Sequence, residues 1–338
     1  MRRFIPSLAS AVLFAVFAST AIAQEVNVYT TREPKLAQPL FDAFTKHSGV
    51  KVNVIFIEKG MAERVAAEGA NSPADVLMAV DIGNILDAVN RGVTQSVKSE
   101  ALNSAIPANL RDKDGHWFAL SLRARLFYVS KERVKETALT YADLADPKWK
   151  GKVCIRSGLH PYNTALVAAY INHYGVEKTE AWLRGVKANL ARKPAGGDRE
   201  VARDILGGIC DIGLANSYYV GLMRGGSNED QKKWGAAINT ILPTFPGGGT
   251  HVNVSGASVA LHAKNKENAI KLLEFLVSNE AQSLYAKANY EYPVRPGAPV
   301  DPIIAGLGTL KTDQIDLTLI AKNRKQAADL IEKVGFDQ

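Results

Sequence analysis

Tyr218 and Tyr219 are the residues of this sequence whose types and spacing most clearly suggest chemistry. They follow the short apolar run 210–215 and the polar pair 216–217, which predicts a strand that ends just before them. Side chains at the end of such a strand lie at the edge of an α/β sheet, where ligands bind. Phenols there can bind a small, highly charged cation, which displaces their protons, and ferric iron is the hard cation that phenolate favours. The alternative is that the two tyrosines pack at the rim of the protein with their hydroxyls in water.

Two other stretches carry groups that would complete such a site. Residues 158–164 are typical of a turn between a strand and a helix, with Tyr162 at the helix start and Asn163 as its cap. The free N–H groups in the first turn of a helix can hold an anion. Arg32 follows the first predicted strand, and a guanidinium can bind a small oxyanion through two parallel hydrogen bonds. Together these residues indicate a site for a metal ion accompanied by an anion.

No catalytic motif accompanies these residues. The six histidines are scattered, and none forms the i, i+4 pair with an intervening glutamate that binds zinc in metalloproteases. The sequence has no G-x-S-x-G, no phosphate-binding loop and no G-x-G-x-x-G after a predicted strand. Asp75 and Asp81 are a weak candidate pair for acid–base catalysis. We expect a binding protein and not an enzyme; a secreted hydrolase or isomerase with an unrecognised site is an alternative.

The N-terminus predicts a secretory signal peptide over residues 1–23. Arg2 and Arg3 precede the apolar run 8–17, and an A-x-A sequence at 21–23 ends just before Gln24. The apolar run is too short to span a membrane, and no later run is long enough, so we expect an exported protein that does not span the membrane. The formal charge of +7 comes without a long basic run, so a nucleic-acid partner is not implied.

The sequence contains two cysteines, Cys154 and Cys210. Each lies in a short apolar run that is typical of a strand. Exported proteins mature in an oxidising compartment, where paired cysteines usually form disulfides, so we predict one disulfide between neighbouring strands. The alternative is two buried free thiols, and the spacing does not suggest a zinc site.

The succession of predicted elements indicates an α/β protein with a mainly parallel sheet flanked by helices. In the first part of the chain, strands are predicted at 26–29, 50–57 and 73–80 and helices at 36–44, 61–69 and 81–90. Strands at 117–122 and 126–129, on either side of residues 123–125, are predicted to cross to a second lobe, and a strand at 251–260 to return. In the second part, helices are predicted at 164–174, 179–189, 201–206, 266–277, 280–288 and 315–333, with strands near 153 and 212.

Two α/β lobes joined by crossing strands form a hinged clamp with the ligand between them. We predict an N-terminal lobe of residues 24–121 plus 251–294 and a C-terminal lobe of residues 122–250 plus 295–338. Behind a signal peptide, this architecture is typical of a two-lobed (type II) periplasmic solute-binding protein.

Over essentially the whole mature chain, the sequence resembles the ferric-ion-binding proteins of periplasmic iron ABC importers. The resemblance is carried by VYTTREP at 28–34, SPADV at 72–76, HPYNT at 160–164, NSYY at 216–219 and NYEYPV at 289–294. A tandem tyrosine after a strand, with an asparagine two residues before the pair, is among the more specific marks of that family.

The resemblance implies a role for each of these residues. Tyr218 and Tyr219 would bind iron, and Tyr162 would be the third tyrosine ligand of the tyrosine-rich branch. Asn216 would support the tyrosine ligands from behind, and Asn163 is expected to do the same. Arg32 would hold a synergistic anion, which is carbonate in similar proteins. The resemblance also implies a periplasmic location and a permease of the inner membrane as partner, and we expect a monomer.

The sequence departs from the family directly after Arg32, where many relatives place a histidine, or a histidine followed by tyrosine. Here Glu33 and Pro34 occupy these positions; proline cannot bind a metal, and Glu33 is expected to be an exposed loop carboxylate. Asp81 stands near the position of a glutamate used by a related branch and is expected to line the cleft. The N-terminal lobe would then supply no protein ligand, and an anion or water would fill the open positions on iron.

Arg123 or Arg125, at the crossing between the lobes, is expected to help Arg32 hold the anion, with Arg123 as the candidate; the alternative is that each is a solvated or hinge-packing arginine. The main alternative function keeps the fold and changes the ligand to a free oxyanion, a polyamine or a metal chelate. A purely structural envelope protein would not explain why tyrosines gather at strand ends.

Overall fold

A computed structural model of the protein describes residues 24–338, so the predicted signal peptide, residues 1–23, lies outside the described residues. Within residues 24–338, no helix combines the length and the apolar character that crossing a membrane requires. In this part of the chain the strands are β1 (Glu25–Thr30), β2 (Lys51–Phe56), β3 (Val76–Ala79), β4 (Thr94–Gln95), β5 (Phe118–Ser130), β6 (Val153–Cys154), β7 (Ile212–Asn216), β8 (Ile238–Ile241), β9 (Val252–Ala260) and β10 (Tyr292–Pro293).

The α-helices of the same residues alternate with these strands over much of the chain. They are α1 (Pro34–Ser48), α2 (Met61–Glu68), α3 (Ile82–Asn90), α4 (Glu100–Ala105), α5 (Pro161–Ala188), α6 (Asp198–Leu206), α7 (Tyr218–Gly225), α8 (Glu229–Ala236), α9 (Lys266–Leu276), α10 (Asn279–Asn289), α11 (Pro302–Ala305), α12 (Leu317–Lys322) and α13 (Arg324–Val334). The predicted α/β class is confirmed.

The strands pair in the order β2-β1-β3-β9-β5-β7-β6, with β4 beside β9 and with β8 and β10 beside β5. β1 is parallel to both β2 and β3, as the succession of strands and helices predicts. The long strands β5 and β9, however, are antiparallel to every strand that they pair with, so the sheet is mixed rather than mainly parallel. Val26 and Val28 of β1 are fully buried, and so are Leu40 and Phe44 on the inner face of α1. The alternation in β1 and the helical spacing in α1 therefore build one side of the same core.

β5 is a single strand of 13 residues that belongs to both halves of the sheet. Phe118–Ala124 pairs with β9, and Arg125–Val129 pairs with β7, so the chain passes from one half to the other without a break. The prediction of two strands separated at residues 123–125 is wrong. Two arginines suggested a break in an apolar strand, but both side chains are buried with hydrogen-bond partners inside the protein. The returning strand predicted at 251–260 is confirmed as β9.

The disulfide predicted between Cys154 and Cys210 is present, with the two Cα atoms 5.8 Å apart. Cys154 ends β6, and Cys210 lies just before β7, which runs parallel to β6. The covalent bond therefore ties together two neighbouring strands, the second of which leads to Tyr218.

The helices expected at 164–174 and 179–189 are confirmed as the two parts of α5, which breaks at Gly175, where φ is 79° and ψ is 169°. Such a positive φ suits glycine, which lets the chain change direction between the two helical parts. The terminal helix expected at 315–333 is two helices, α12 and α13, which meet at Asn323 and both pack against α5. The lobe boundaries at 121/122, 250/251 and 294/295 remain predictions.

Candidate metal centre

Tyr218 and Tyr219 are the first two residues of α7, directly after the end of β7. Their rings are 4.1 Å apart between centroids and inclined by 32°. Tyr162 is the second residue of α5, and all three tyrosines are half-buried. Tyr162 lies close enough that its charge would raise the pKa of both Tyr218 and Tyr219. We call these three residues the tyrosine cluster; the sequence predicts each of them, and the structure brings them together.

Burial sets the protonation of Tyr218 and Tyr219 in the absence of metal. It raises the pKa of Tyr218 well above the ordinary value, with further increases from Tyr162 and Tyr219 and an opposing effect from Arg123. Burial also raises the pKa of Tyr219, and the carboxylate of Asp198 adds to it. At neutral pH Tyr218 and Tyr219 are therefore protonated, and a metal ion that binds them must displace their protons.

The start of α5 differs from the prediction that Asn163 caps it. His160 is the cap, because its Nδ1 accepts a hydrogen bond from the backbone N–H of Tyr162 at 3.2 Å. Pro161 occupies the first helical position, where its missing N–H costs nothing, so the helix begins two residues before Asn163. Burial and the neighbouring Arg156 lower the pKa of His160 to about 4, which keeps its ring neutral and able to accept this bond.

A buried arginine joins the elements that carry the tyrosine cluster. Arg125 Nη1 donates to Asp198 Oδ2 at 2.5 Å and to Asn216 Oδ1 at 3.1 Å. Its Nη2 donates to Asn163 Oδ1 at 2.5 Å. The backbone N–H of Asn216 also donates to Asp198 Oδ2, at 2.7 Å. Arg125 thus holds both Asn163 and Asn216, and its Nη groups are bonded inside the protein, so it does not extend toward an anion as expected for an arginine at the crossing.

Arg123 lies against this cluster. Its guanidinium carbon is 5.6 Å from the centre of the Tyr162 ring, within the range of a cation–π contact. Its Nη2 donates to the carbonyl oxygens of Val80 and Val254, the latter at 3.0 Å, and its buried Nε has no hydrogen-bond partner among residues 24–338. Arg123 therefore keeps a donor free beside the phenols.

Two arginines that the sequence analysis did not single out also flank the cluster. The guanidinium carbon of Arg156 is 5.5 Å from the centre of the Tyr162 ring, and that of Arg199 is 5.6 Å from the centre of the Tyr219 ring. Arg156 follows β6 in the chain, and Arg199 lies in the first turn of α6. Nothing in their local sequence distinguishes them from surface arginines, so only the fold reveals their position.

Arg32 is buried and paired with a carboxylate that the sequence analysis did not identify as a partner. Its Nη2 donates to Glu291 Oε1 at 2.8 Å and to Ser255 Oγ at 2.5 Å. Burial alone would raise the pKa of Glu291, but Arg32 and Arg123 lower it below the ordinary value. Tyr218 lies within electrostatic reach of Arg32, whose own buried Nε has no partner among the described residues. Arg32 thus approaches the tyrosine cluster with its charge balanced by Glu291.

Asp81 is expected from the sequence to line the cleft, which would require a free carboxylate there, but its carboxylate is not free. It is buried, it caps α3 through the N–H of Gly83 at 2.8 Å, and it accepts from Asn253 Nδ2 at 2.6 Å. It also pairs with Arg324 at the start of α13. Its oxygens are occupied by the protein because β3, β9 and α13 meet at this point. Glu33, by contrast, is exposed before α1, as expected.

Two sheet halves joined by the long strands β5 and β9, with polar groups gathered at the junction, define a two-lobed periplasmic binding protein. The chain belongs to the family of bacterial extracellular solute-binding proteins, whose family model matches residues 71–305.

Named relatives and solved structures resemble nearly the whole chain. The iron uptake protein A1 of Synechocystis sp. is 41% identical over 318 residues, which cover 93% of this chain and 88% of that protein. The structure of a Bordetella ferric binding protein is 65% identical with a TM-score of 0.90, covering 93% of this chain and all of that chain. A Trichodesmium protein solved in complex with iron and citrate ligands is 42% identical with a TM-score of 0.88, covering 92% and 99%.

Proposed function

We propose that this protein captures ferric iron in the periplasm and delivers it to an ABC importer, with Tyr162, Tyr218 and Tyr219 as the metal ligands. The observation that carries the proposal is the tyrosine cluster itself, three half-buried phenols from two helix starts beside several guanidinium groups. Hard phenolate oxygen suits ferric iron better than softer metals. The names of the Synechocystis and Bordetella relatives, an iron uptake protein and a ferric binding protein, support it.

The balance of charge around the iron indicates where the synergistic anion would bind. Three phenolates neutralise Fe³⁺, and a synergistic anion, with carbonate as the candidate, completes the coordination. Arg32 and Arg123 would hold that anion, since each has a buried Nε without a hydrogen-bond partner among residues 24–338. A buried N–H donor without a partner is unfavourable, and an oxyanion would satisfy it. Closure of the two lobes would then bring Arg32 toward iron held by the C-terminal lobe.

The proposal includes further parts. The protein is exported by the signal peptide at residues 1–23, works as a monomer, and hands its cargo to a permease of the inner membrane. It binds and releases iron without catalysing a reaction, in keeping with relatives that are named as binding and uptake proteins.

The main alternative is the same fold binding a free oxyanion, a polyamine or a metal chelate. Of these, the arginines around the cluster favour the anionic ligands. Binding of ferric iron and of free phosphate or bicarbonate, measured by calorimetry, distinguishes them in a Tyr218→Phe/Tyr219→Phe double variant. An iron-binding protein loses most of its iron affinity in this variant, whereas a free-anion binder loses little of its anion affinity. Tyr174→Phe is the matched control, because Tyr174 is a tyrosine of α5 that packs on Tyr170, outside the cluster.

A further inference from the structure

Tyr290, between α10 and β10, has an unfavourable backbone conformation. Among residues 24–338, it alone of the non-glycine residues has a positive φ, at 55°, and it caps the end of α10 in the left-handed conformation. Glycine is the usual residue at such a cap because it has no Cβ, so a tyrosine there strains the backbone. Strain of this kind persists where the surrounding structure requires the residue, which directs attention to the side chain of Tyr290.

The ring of Tyr290 lies directly against the backbone of α7. A Cβ atom at Gly221 would overlap the carbon atoms of the ring, and a Cβ atom at Gly225 would overlap its hydroxyl oxygen. Gly221 is buried in the interior of the helix, where glycine is a poor helix former. Both sides of this contact therefore give up local stability, the tyrosine in its backbone and the helix in its glycine.

The ring packs on the face of α7 that begins with Tyr218. Gly221 and Gly225 follow Tyr218 by three and seven residues, so the three residues lie on one face of the helix. Because glycine has no side chain, the ring rests on the helix backbone, and no flexible group between them can absorb a displacement. A shift of Tyr290 would therefore move the start of α7 and the phenol of Tyr218 with it.

The next residue, Glu291, holds Arg32, which is proposed to bind the anion. Arg32 Nη2 donates to Glu291 Oε1 at 2.8 Å, and the hydroxyl of Ser121 donates to Glu291 Oε2. Two adjacent residues thus hold the two binding groups, one through a ring against α7 and the other through a carboxylate. Tyr218 lies within electrostatic reach of Arg32, so the two groups that are held in this way are neighbours.

The contact of Tyr290 with α7 also joins the two halves of the sheet. β10, which begins two residues after Tyr290, pairs with Ser121 and Leu122 in the part of β5 that is bonded to β9. α7 follows β7, which pairs with the other part of β5. The ring therefore resists a displacement of one half relative to the other, at the point where the expected iron and anion sites meet.

We propose that Tyr290 is a positioning residue that fixes the distance between Tyr218 and Arg32 and so couples the binding of iron to the binding of the anion. This inference rests on the proposed function and specifies how its two ligands depend on each other. An anion that contacts both the iron and Arg32 must span a set distance, and binding groups of this kind have to be held within about 0.5 Å. The coupling is reciprocal, so it appears as the factor by which the anion raises iron affinity.

The experiment measures this factor, which we call the bicarbonate enhancement. The mature protein is titrated with ferric acetohydroxamate, with and without bicarbonate, and iron binding is followed by the visible tyrosinate-to-ferric absorption. Tyr290→Gly removes the ring and relieves the backbone strain, and Gly221→Ala disturbs the same contact from the side of α7. Tyr290→Phe is the matched control, because it keeps the ring. Val65→Ala, at a buried residue of α2, controls for a loss of stability alone.

The bicarbonate enhancement is expected to fall about fivefold in Tyr290→Gly and in Gly221→Ala. Substitutions that disturb the coupling between two sites typically change it by about two- to thirtyfold. Tyr290→Phe and Val65→Ala should keep the enhancement within about twofold of the unmodified protein. A purely structural role of Tyr290 would lower stability, or iron affinity under both conditions, without changing this ratio. Thermal unfolding shows whether each variant is folded.

Three results would overturn the inference. If either Tyr290→Gly or Gly221→Ala kept the full bicarbonate enhancement, the contact with α7 would not carry the coupling. If Val65→Ala lowered the enhancement as much as they do, lost stability would explain the effect. An unmodified protein that binds iron equally well with and without bicarbonate would have no coupling to transmit. Failure of the proposed function looks different, because the unmodified protein would then develop no absorption band, which would overturn both proposals.

Discussion

Replacement of Arg125 by methionine tests whether the buried network behind the tyrosine cluster holds the metal centre together. Methionine keeps much of the volume of the side chain but removes every hydrogen bond that the Arg125 guanidinium makes. Arg125 and Asp198 are each 1% exposed, so the variant leaves a carboxylate buried without its closest partner. It also leaves the side-chain oxygens of Asn163 and Asn216 without their donor.

The structure sets the size of the expected effect. Removing one partner of a buried ion pair typically costs 3–5 kcal/mol. Arg156 remains 3.4 Å from Asp198 and compensates part of the lost charge, so we expect about 3 kcal/mol, at the lower end of that range. Iron affinity should fall as well, because Arg125 connects the starts of α5 and α6 with the end of β7.

Urea unfolding of the iron-free protein measures the first effect, and iron titration measures the second. The double variant Arg125→Met/Asp198→Asn should recover part of the lost stability, because it removes the buried charge along with its partner, and the double-mutant cycle gives their interaction energy. Arg184→Met is the control, since Arg184 forms an exposed ion pair with Glu180 and should leave both quantities unchanged within error. A loss of less than about 1 kcal/mol for Arg125→Met, or a double variant no more stable than the single one, would refute this reasoning.

Three further predictions concern stability. The Cys154–Cys210 disulfide closes a loop with a sequence separation of 56, so replacing both cysteines by alanine should lower the free energy of unfolding by about 4 kcal/mol. Urea unfolding measures this loss, and an unchanged free energy of unfolding would contradict the argument from loop closure. Glu291→Gln should cost about 3 kcal/mol at pH 7, because it leaves a buried arginine without its carboxylate. The pKa of Glu291 is lower in the folded protein than in the unfolded chain, where the pKa of glutamate is about 4.3. The unmodified protein should therefore exceed Glu291→Gln in stability by the full amount above about pH 4.3, and this difference should shrink as pH falls through the folded pKa. Arg324→Ala should cost about 2 kcal/mol by urea unfolding, because it unpairs the buried Asp81, and no measurable change would mean that the pair adds nothing.

Features set by local sequence could be predicted. The alternation of residues 26–29 and the helical spacing of 36–44 recur as β1 and α1, because each segment buries one face wherever it packs. The tyrosines could be predicted as a group, because Tyr162 and Tyr218 each begin a helix after a strand, and such points meet at one edge of a sheet. The disulfide could be predicted because exported proteins mature in an oxidising compartment, and not from the spacing of the two cysteines in the sequence.

Features that depend on distant partners could not be predicted. Residues 123–125 read as a break in a strand because their partners, such as Asp198 and the carbonyl of Val254, are far away in sequence. Arg32 and Glu291 pair although they are 259 positions apart in the sequence, and no local pattern predicts this contact. The cap of α5 was missed for a local reason, since Pro161 favours the first helical position and therefore makes His160 the cap.

The visible absorption spectrum during loading with ferric iron tests the central claim most directly. The mature protein is titrated with chelated ferric iron, with and without bicarbonate, beside the variant Tyr218→Phe and the control Tyr174→Phe. The account predicts a strong tyrosinate-to-ferric charge-transfer band that the control keeps and Tyr218→Phe loses, with loading that improves when bicarbonate is present. An unmodified protein that stays colourless under both conditions would contradict ferric binding by the tyrosine cluster and would favour the oxyanion or polyamine alternative.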